Sequence, residues 1–171
     1  NYFTYRQHAP MGKAVATTID HCNSAPAKGE TMRCITSAED MIDYLATSLV
    51  AKINITARST DNSIQLGGNV LIGEVKAANG GKLGHVVSCH QAAFPYLLYR
   101  CHSVPETKLY EVEILDPETK AKISAATAIC HFDTSVWSRD HVAFMALGYE
   151  RGMEICQWVF PGAIAWTAAT E

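Results

Sequence analysis

Three Cys-His dipeptides, Cys89-His90, Cys101-His102 and Cys130-His131, recur in the second half of this chain, and a fourth late cysteine opens the variant Cys156-Gln157. Ten residues separate the first two pairs, 27 the second and third, and 24 the third and fourth. Each Cys-His dipeptide falls in a short segment rich in β-branched and aromatic residues and bounded by turn residues, which reads as a strand. Successive side chains of a strand point to opposite faces, so each dipeptide presents a thiol to one face and an imidazole to the other. Repeated on neighbouring strands, the pattern gives a layer of sulfurs behind a layer of imidazoles. The sulfurs can close disulfides where their Cα separations allow. The imidazoles, held on that backing, can share a metal. A lone buried Cys-His is usually core packing, but three in one chain of this composition are improbable by chance. There is no CxxC and no HxxxH, which argues against a zinc site. With the sulfurs in disulfides, imidazole-only ligation suits copper, and zinc less distinctively.

Composition bounds the rest. The 171 residues make about one domain, 48% are hydrophobic and 18% charged, which excludes a disordered chain. No apolar run approaches the length of a transmembrane helix. A net charge of −3 argues against a strongly basic nucleic-acid binder. The six cysteines are an even number and allow 15 connectivities; composition alone does not choose between disulfides and thiolate chemistry. The start, Asn1-Tyr2-Phe3-Thr4-Tyr5, has no basic segment leading into an apolar one and no initiating Met, so we read a mature or trimmed fragment. Asn54-Ile55-Thr56 is a glycosylation sequon if the protein is secreted. No Ser-His-Asp order, P-loop or paired-carboxylate motif competes for another chemistry.

The pattern predicts an α+β fold: two N-terminal helices, then a mostly antiparallel β-sheet or sandwich. Ala14 to Cys22 is the first helix. Thr36 or Ser37 caps the second, with Met41, Ile42, Leu45, Leu49 and Val50 on its apolar face. Strands are expected at 53–57, 70–75, 85–90, 96–102, 109–115, 126–132, 142–147 and 155–160. Turns are expected at Asn79-Gly80-Gly81 and Asp116-Pro117. Tyr110, Val112 and Ile114 alternate with Glu111 and Glu113, so one face there is wet.

The spaced Cys-His repeat resembles the plant BURP domain, whose signature is four Cys-His pairs. The runs Gly29-Glu30-Thr31-Met32-Arg33-Cys34 and Ser37-Ala38-Glu39-Asp40-Met41-Ile42 are similar to the family's segment before its repeat. Ser88-Cys89-His90-Gln91, Pro95-Tyr96-Leu97-Leu98-Tyr99, Cys101-His102-Ser103-Val104-Pro105, Ala146-Leu147-Gly148, Trp158 and Trp166 resemble its polygalacturonase beta-subunit type. The resemblance runs from about Cys22 to Trp166 and implies one domain over 1–171 that lacks the family's most N-terminal segment. It implies two functions. Some members are copper-dependent peptide cyclases that use O2 to crosslink a Tyr or Trp of a core peptide, in their own precursor or in trans. Others are non-catalytic, secreted apoplastic or cell-wall proteins that bind polygalacturonase or pectin. Carried over, the first function makes His90, His102 and His131 the copper ligands and catalytic residues, with Gln157 in place of the expected fourth His. His141 and His85 are substitutes on proximity in sequence. His85 lies five residues from His90 on the same strand, which puts it on the other face. Tyr2 and Tyr5 are candidate self-substrates. Pectin binding would need a basic patch, for which Lys108, Lys120, Lys122, Arg139 and Arg151 are available. Pairing Cys22 with Cys34 and, following the repeat, Cys89 with Cys101 and Cys130 with Cys156 is one of the fifteen connectivities.

Overall fold

Ser37 begins a helix because its extended backbone leaves its hydroxyl free to accept from the Asp40 N–H at 3.1 Å, and Glu39 and Asp40 put negative charge in the first turn. The computed structural model describes residues 9–49, 54–60 and 69–169. In it, helix α1 spans Pro10–Asn23, strand β1 Thr31–Ile35 and helix α2 Ala38–Ser48. Then come β2 Ile55–Arg58, β3 Leu71–Ala77, a 3-10 turn at Ala78–Gly81, β4 Gly84–Gln91, β5 Tyr99–Leu115 and β6 Lys122–His131. A short helix α3, Val142–Leu147, precedes β7 Ile155–Trp158 and β8 Ala163–Ala168.

The fold is α+β, and the β part is one antiparallel sheet of eight strands in the order β2-β8-β4-β5-β6-β7, with β1 and β3 also paired to β5. Strand β5 is the spine. Its first half is flanked by β1 and β4, which pair with the same residues and so lie on opposite edges; its second half is flanked by β3 and β6 in the same way. The sequence suggested two strands here, 96–102 and 109–115, from their β-branched and aromatic content. The chain instead runs through. Val86 pairs with Val104 and Gly84 with Thr107, so β5 carries one residue more than β4 across this step. Pro105 and Glu106 have no register partner on β4, and Glu106, whose carbonyl accepts from the Phe132 N–H, adopts a positive φ of 51°. This is a β-bulge.

The bulge changes which parity faces which side. Cys89 and Cys101 are opposite one another and pack beneath α2 with Ile35, Tyr44, Leu45 and Val87. Val112, Ile114 and Ala126 form a second cluster on that face of the sheet, and Leu109, Ile129, Ala163 and Ala165 form one on the other. Three disulfides close, Cys22–Cys34, Cys89–Cys101 and Cys130–Cys156; the last two each join residues directly opposite on neighbouring strands.

Several expectations are corrected. Residues 142–147 form a helix: Ala, Met and Leu favour it, His141 caps its start, and Gly148 ends it in the left-handed conformation at φ 66°. Strands β1 and β8 were not anticipated; both are short, and β8 is built largely of Ala. On α2, Ile42 is 62% exposed, because Tyr44 takes the inward position and hydrogen-bonds Thr31 through its hydroxyl. Val50, Tyr2 and Tyr5 lie outside the described residues. The turn at Asp116-Pro117 forms as expected, its carboxylate accepting from Glu118 N–H and Thr119 N–H.

Candidate functional site

Residues directly opposite in an antiparallel pair share a face. By that rule His90, opposite Arg100, and His102, opposite Ser88, lie on the face away from Cys89 and Cys101. After the bulge the parity inverts, so Thr107 joins the same face, and with it His131, its partner on β6. Gln157 pairs with Ile129, two residues before His131, and therefore also shares that face. Had these same residues of β5 alternated strictly, with no bulge to absorb the extra one, His131 and His102 would sit on opposite sides of the sheet. His90, Arg100, His102, His131, Trp137, His141 and Gln157 line one cleft of about 490 Å³, which Glu30 also borders. The volume is within the range of about 300–1,000 Å³ common for small-ligand sites.

The imidazoles are not equivalent. His90 Nε2 and His102 Nε2 are 3.3 Å apart, one donating to the other. Two nitrogens bound to one metal at about 2.0–2.1 Å would stand roughly 3 Å apart, so this pair also suits a shared ion. His131 is buried, with Nδ1 3.2 Å from Thr107 Oγ1. That hydroxyl donates to the carbonyls of Val104 or Pro105, at 3.0 and 3.2 Å, so it accepts from His131 Nδ1–H. The lone pair of His131 is thereby left on Nε2. His141 is the reverse. Its Nδ1 accepts from the Ala143 N–H at 3.2 Å to cap α3, so its proton sits on Nε2 and, in this conformation, the ring has no free lone pair for a metal.

Burial, and next the Arg100 guanidinium, lower the His90 pKa. His102 falls to about 3, from burial first and then from His90, Arg100 and His131. His131 falls to about 4, from burial and then from His141. All three rings are held neutral, the state that ligates a metal or exchanges hydrogen bonds as both donor and acceptor.

His90, His102, His131, His141 and Gln157, all singled out from sequence, come together here. His85 is exposed and does not line the cleft. Asn54 is exposed just before β2. The five basic residues do not make one patch. Lys122 pairs with Glu113, Lys120 donates to the Pro117 carbonyl, and Lys108 lies 5.1 Å from the Phe132 ring centroid; only Arg139 and Arg151 share a hollow. Sequence reasoning missed Arg100, Thr107 and Trp137. Arg100 had a signal, since it stands two residues before His102 and so shares its face. The other two had none, because a bulge and a loop position them.

Among the described residues, the one set of three metal-type groups with ligand atoms within 4.8 Å of one another is Cys130, Glu154 and Cys156. Its two sulfurs are joined in a disulfide and offer no thiolate. His90, His102 and His131 are spread more widely than that limit, with the first two adjacent.

The model of the BURP domain family matches residues 1–168, and the chain belongs to that family. It is 49% identical over 158 residues to the polygalacturonase-1 non-catalytic subunit beta of Solanum lycopersicum, covering 92% of this chain and 25% of that protein. It is 47% identical over 170 residues to BURP domain-containing protein 16 of Oryza sativa subsp. japonica, covering 99% and 49% respectively. It is 44% identical over 164 residues to polygalacturonase 1 beta-like protein 3 of Arabidopsis thaliana, covering 95% and 26%. The chain thus spans between a quarter and a half of the length of these relatives.

Proposed function

We propose that this chain is a non-catalytic, polygalacturonase-associating module of the plant cell wall. The observation that carries this reading is its 48–49% identity, over more than nine-tenths of its length, to three tomato proteins named as non-catalytic polygalacturonase subunits. Three disulfides and no free cysteine among the described residues fit an oxidising, extracellular compartment. Gln157, standing where the repeat would place a fourth imidazole, weakens the case for a full metal centre, since an amide is a poor copper ligand beside imidazole. The test is size-exclusion chromatography of the purified chain with polygalacturonase, alongside sedimentation with insoluble polygalacturonate. Co-elution or co-sedimentation is expected; a chain that stays free of both overturns the reading.

One observation favours a second reading, a copper-dependent peptide cyclase. His90 and His102 present paired nitrogens, and His131 adds a third imidazole with its Nε2 lone pair free. These three residues would hold copper, which would supply one-electron oxidation chemistry with O2 as the final acceptor. Crosslinking an aromatic side chain removes two hydrogens from the peptide, which mass spectrometry reads as a loss of two mass units. Copper loading near one equivalent, raised by Gln157→His, together with that mass loss on a Tyr-containing peptide, is the expected result. Absence of copper from both forms excludes this reading.

A further inference from the structure

Strand β3 is paired along one edge only: β5 lies on one side of it, and among the described residues no strand lies on the other. Its residues are exposed nearly throughout, Ile72 and Val75 each at 52%. An open strand edge is a template for another strand, and native sheets blunt such edges with lysines and bulges. β3 has both, in Lys76 and in the irregularity between Ile72 and Val75. The lysine does not stand alone, however. Glu74 lies two residues before it on the same face and meets its Nζ at 2.9 Å, with both side chains more than half exposed.

A lysine guards an edge because a second copy brings a second lysine to it. With a glutamate two positions away, that repulsion vanishes in one register. When two β3 strands run antiparallel with Val75 opposite Val75, Glu74 of each copy stands opposite Lys76 of the other. Gly73 then faces Ala77, so no bulky side chain crowds the contact. A shift of one residue sets a charged side chain against Val75. Centring the pair on Glu74 or on Lys76 sets like charges face to face. The neighbouring charges cancel, since Glu111 pairs with Arg58 and Glu113 with Lys122, and two copies therefore approach without net repulsion. We propose that β3 is the self-association edge of this protein: two copies join their sheets about a two-fold axis at Val75, with each Glu74 between its own Lys76 and that of the second copy. Such a contact is isologous and closes at two copies. Running only from Gly73 to Ala77, it fits a weak dimer and not an obligate one. The inference goes beyond the cell-wall reading and does not depend on it.

The test is sedimentation velocity on the purified chain at concentrations from about 1 to about 500 µM, the range of a weak interface. A monomer passing into a dimer, with no larger species, is expected. Glu74→Lys weakens that dimer at least about fivefold, because two opposite-charge contacts become like-charge ones. Combining it with Lys76→Glu restores the parent's association. Both positions are exposed, so the variants keep the parent's melting temperature to within a few degrees. A chain that stays monomeric throughout overturns the proposal, as does a dimer that ignores Glu74→Lys or one that the double variant fails to restore. If the chain alone stays monomeric while Glu74→Lys stops co-elution with polygalacturonase, the edge serves that partner and the self-association assignment falls.

Discussion

Thr107 determines which nitrogen of His131 is offered to the cleft. Thr107→Val keeps the shape and removes the acceptor, so His131 loses its fixed tautomer. A metal titrated against a chelator should then bind about 10–100-fold more weakly, and the melting temperature should fall by several degrees because the buried Nδ1–H loses its acceptor; unchanged affinity would falsify the orienting role. The same buried histidines make stability pH-dependent. Their folded pKa values, about 3 for His102 and about 4 for His131, lie below the ordinary imidazole value of 6.5. The unfolded chain therefore binds more protons, and stability is fully present above pH 6.5 and is lost as pH falls toward 4 and 3. Each ring contributes a slope of up to about 1.4 kcal/mol per pH unit in that window. Denaturant melts between pH 7 and 4 measure it, and a flat profile contradicts neutral burial. At this scale much of the cleft was legible. His90, His102, His131 and Gln157 follow from dipeptides on strands, because period-two geometry is rigid. His131 joins them only because a bulge intervenes, and a bulge has no such periodic signature.

Among the elements, the bulge in β5 has the largest consequence. Deleting Glu106 would leave Val104, Pro105 and Thr107 opposite Val86, His85 and Gly84 in strict alternation, so Thr107 and His131 keep the face of His102 while the local kink is lost. Such a variant is expected to stay folded and to keep its response to added metal in a binding titration. Loss of that response with the fold intact would show that the kink itself, and not only the face it selects, positions the imidazoles. Pro105, whose missing N–H cannot serve a ladder, falls at the step where the β4–β5 ladder is already interrupted. Residues 142–147 misled the sequence reading. Over six residues with one buried side chain, Phe144, periodicity cannot distinguish helix from strand, and the deciding signals were His141 before the segment and Gly148 after it. The capping signal at Ser37 was readable because its partner lies three residues away. Ser37→Ala should cost about 1 kcal/mol in a thermal or denaturant melt.

For the molecule as a whole, two disulfides cross-link neighbouring strands of the one sheet and the third ties a helix to it. Cys22–Cys34 ties α1 to β1, Cys89–Cys101 joins β4 to β5, and Cys130–Cys156 joins β6 to β7. In the chain-entropy model a crosslink across loops of such lengths contributes about 3 kcal/mol. A reducing agent should therefore lower the melting temperature sharply; an unchanged melt with six titratable thiols would contradict the disulfide framework. The overall class was legible from helix and strand patterning, whereas the sulfur pairing stood as one connectivity of fifteen until the structure closed it. Sheet order was not, since it depends on which long-range edges the spine leaves open.

Because β5 is flanked on both edges along nearly its entire length, its backbone amides have no route to solvent short of losing the strands on either side. The amides of residues 100–104 and 108–114 should be the last to exchange with deuterium, and should do so together, at the rate of global unfolding rather than of local fraying. The cleft that β5 carries would then open only when the whole sheet does, which makes it a preformed receptacle and not a gate.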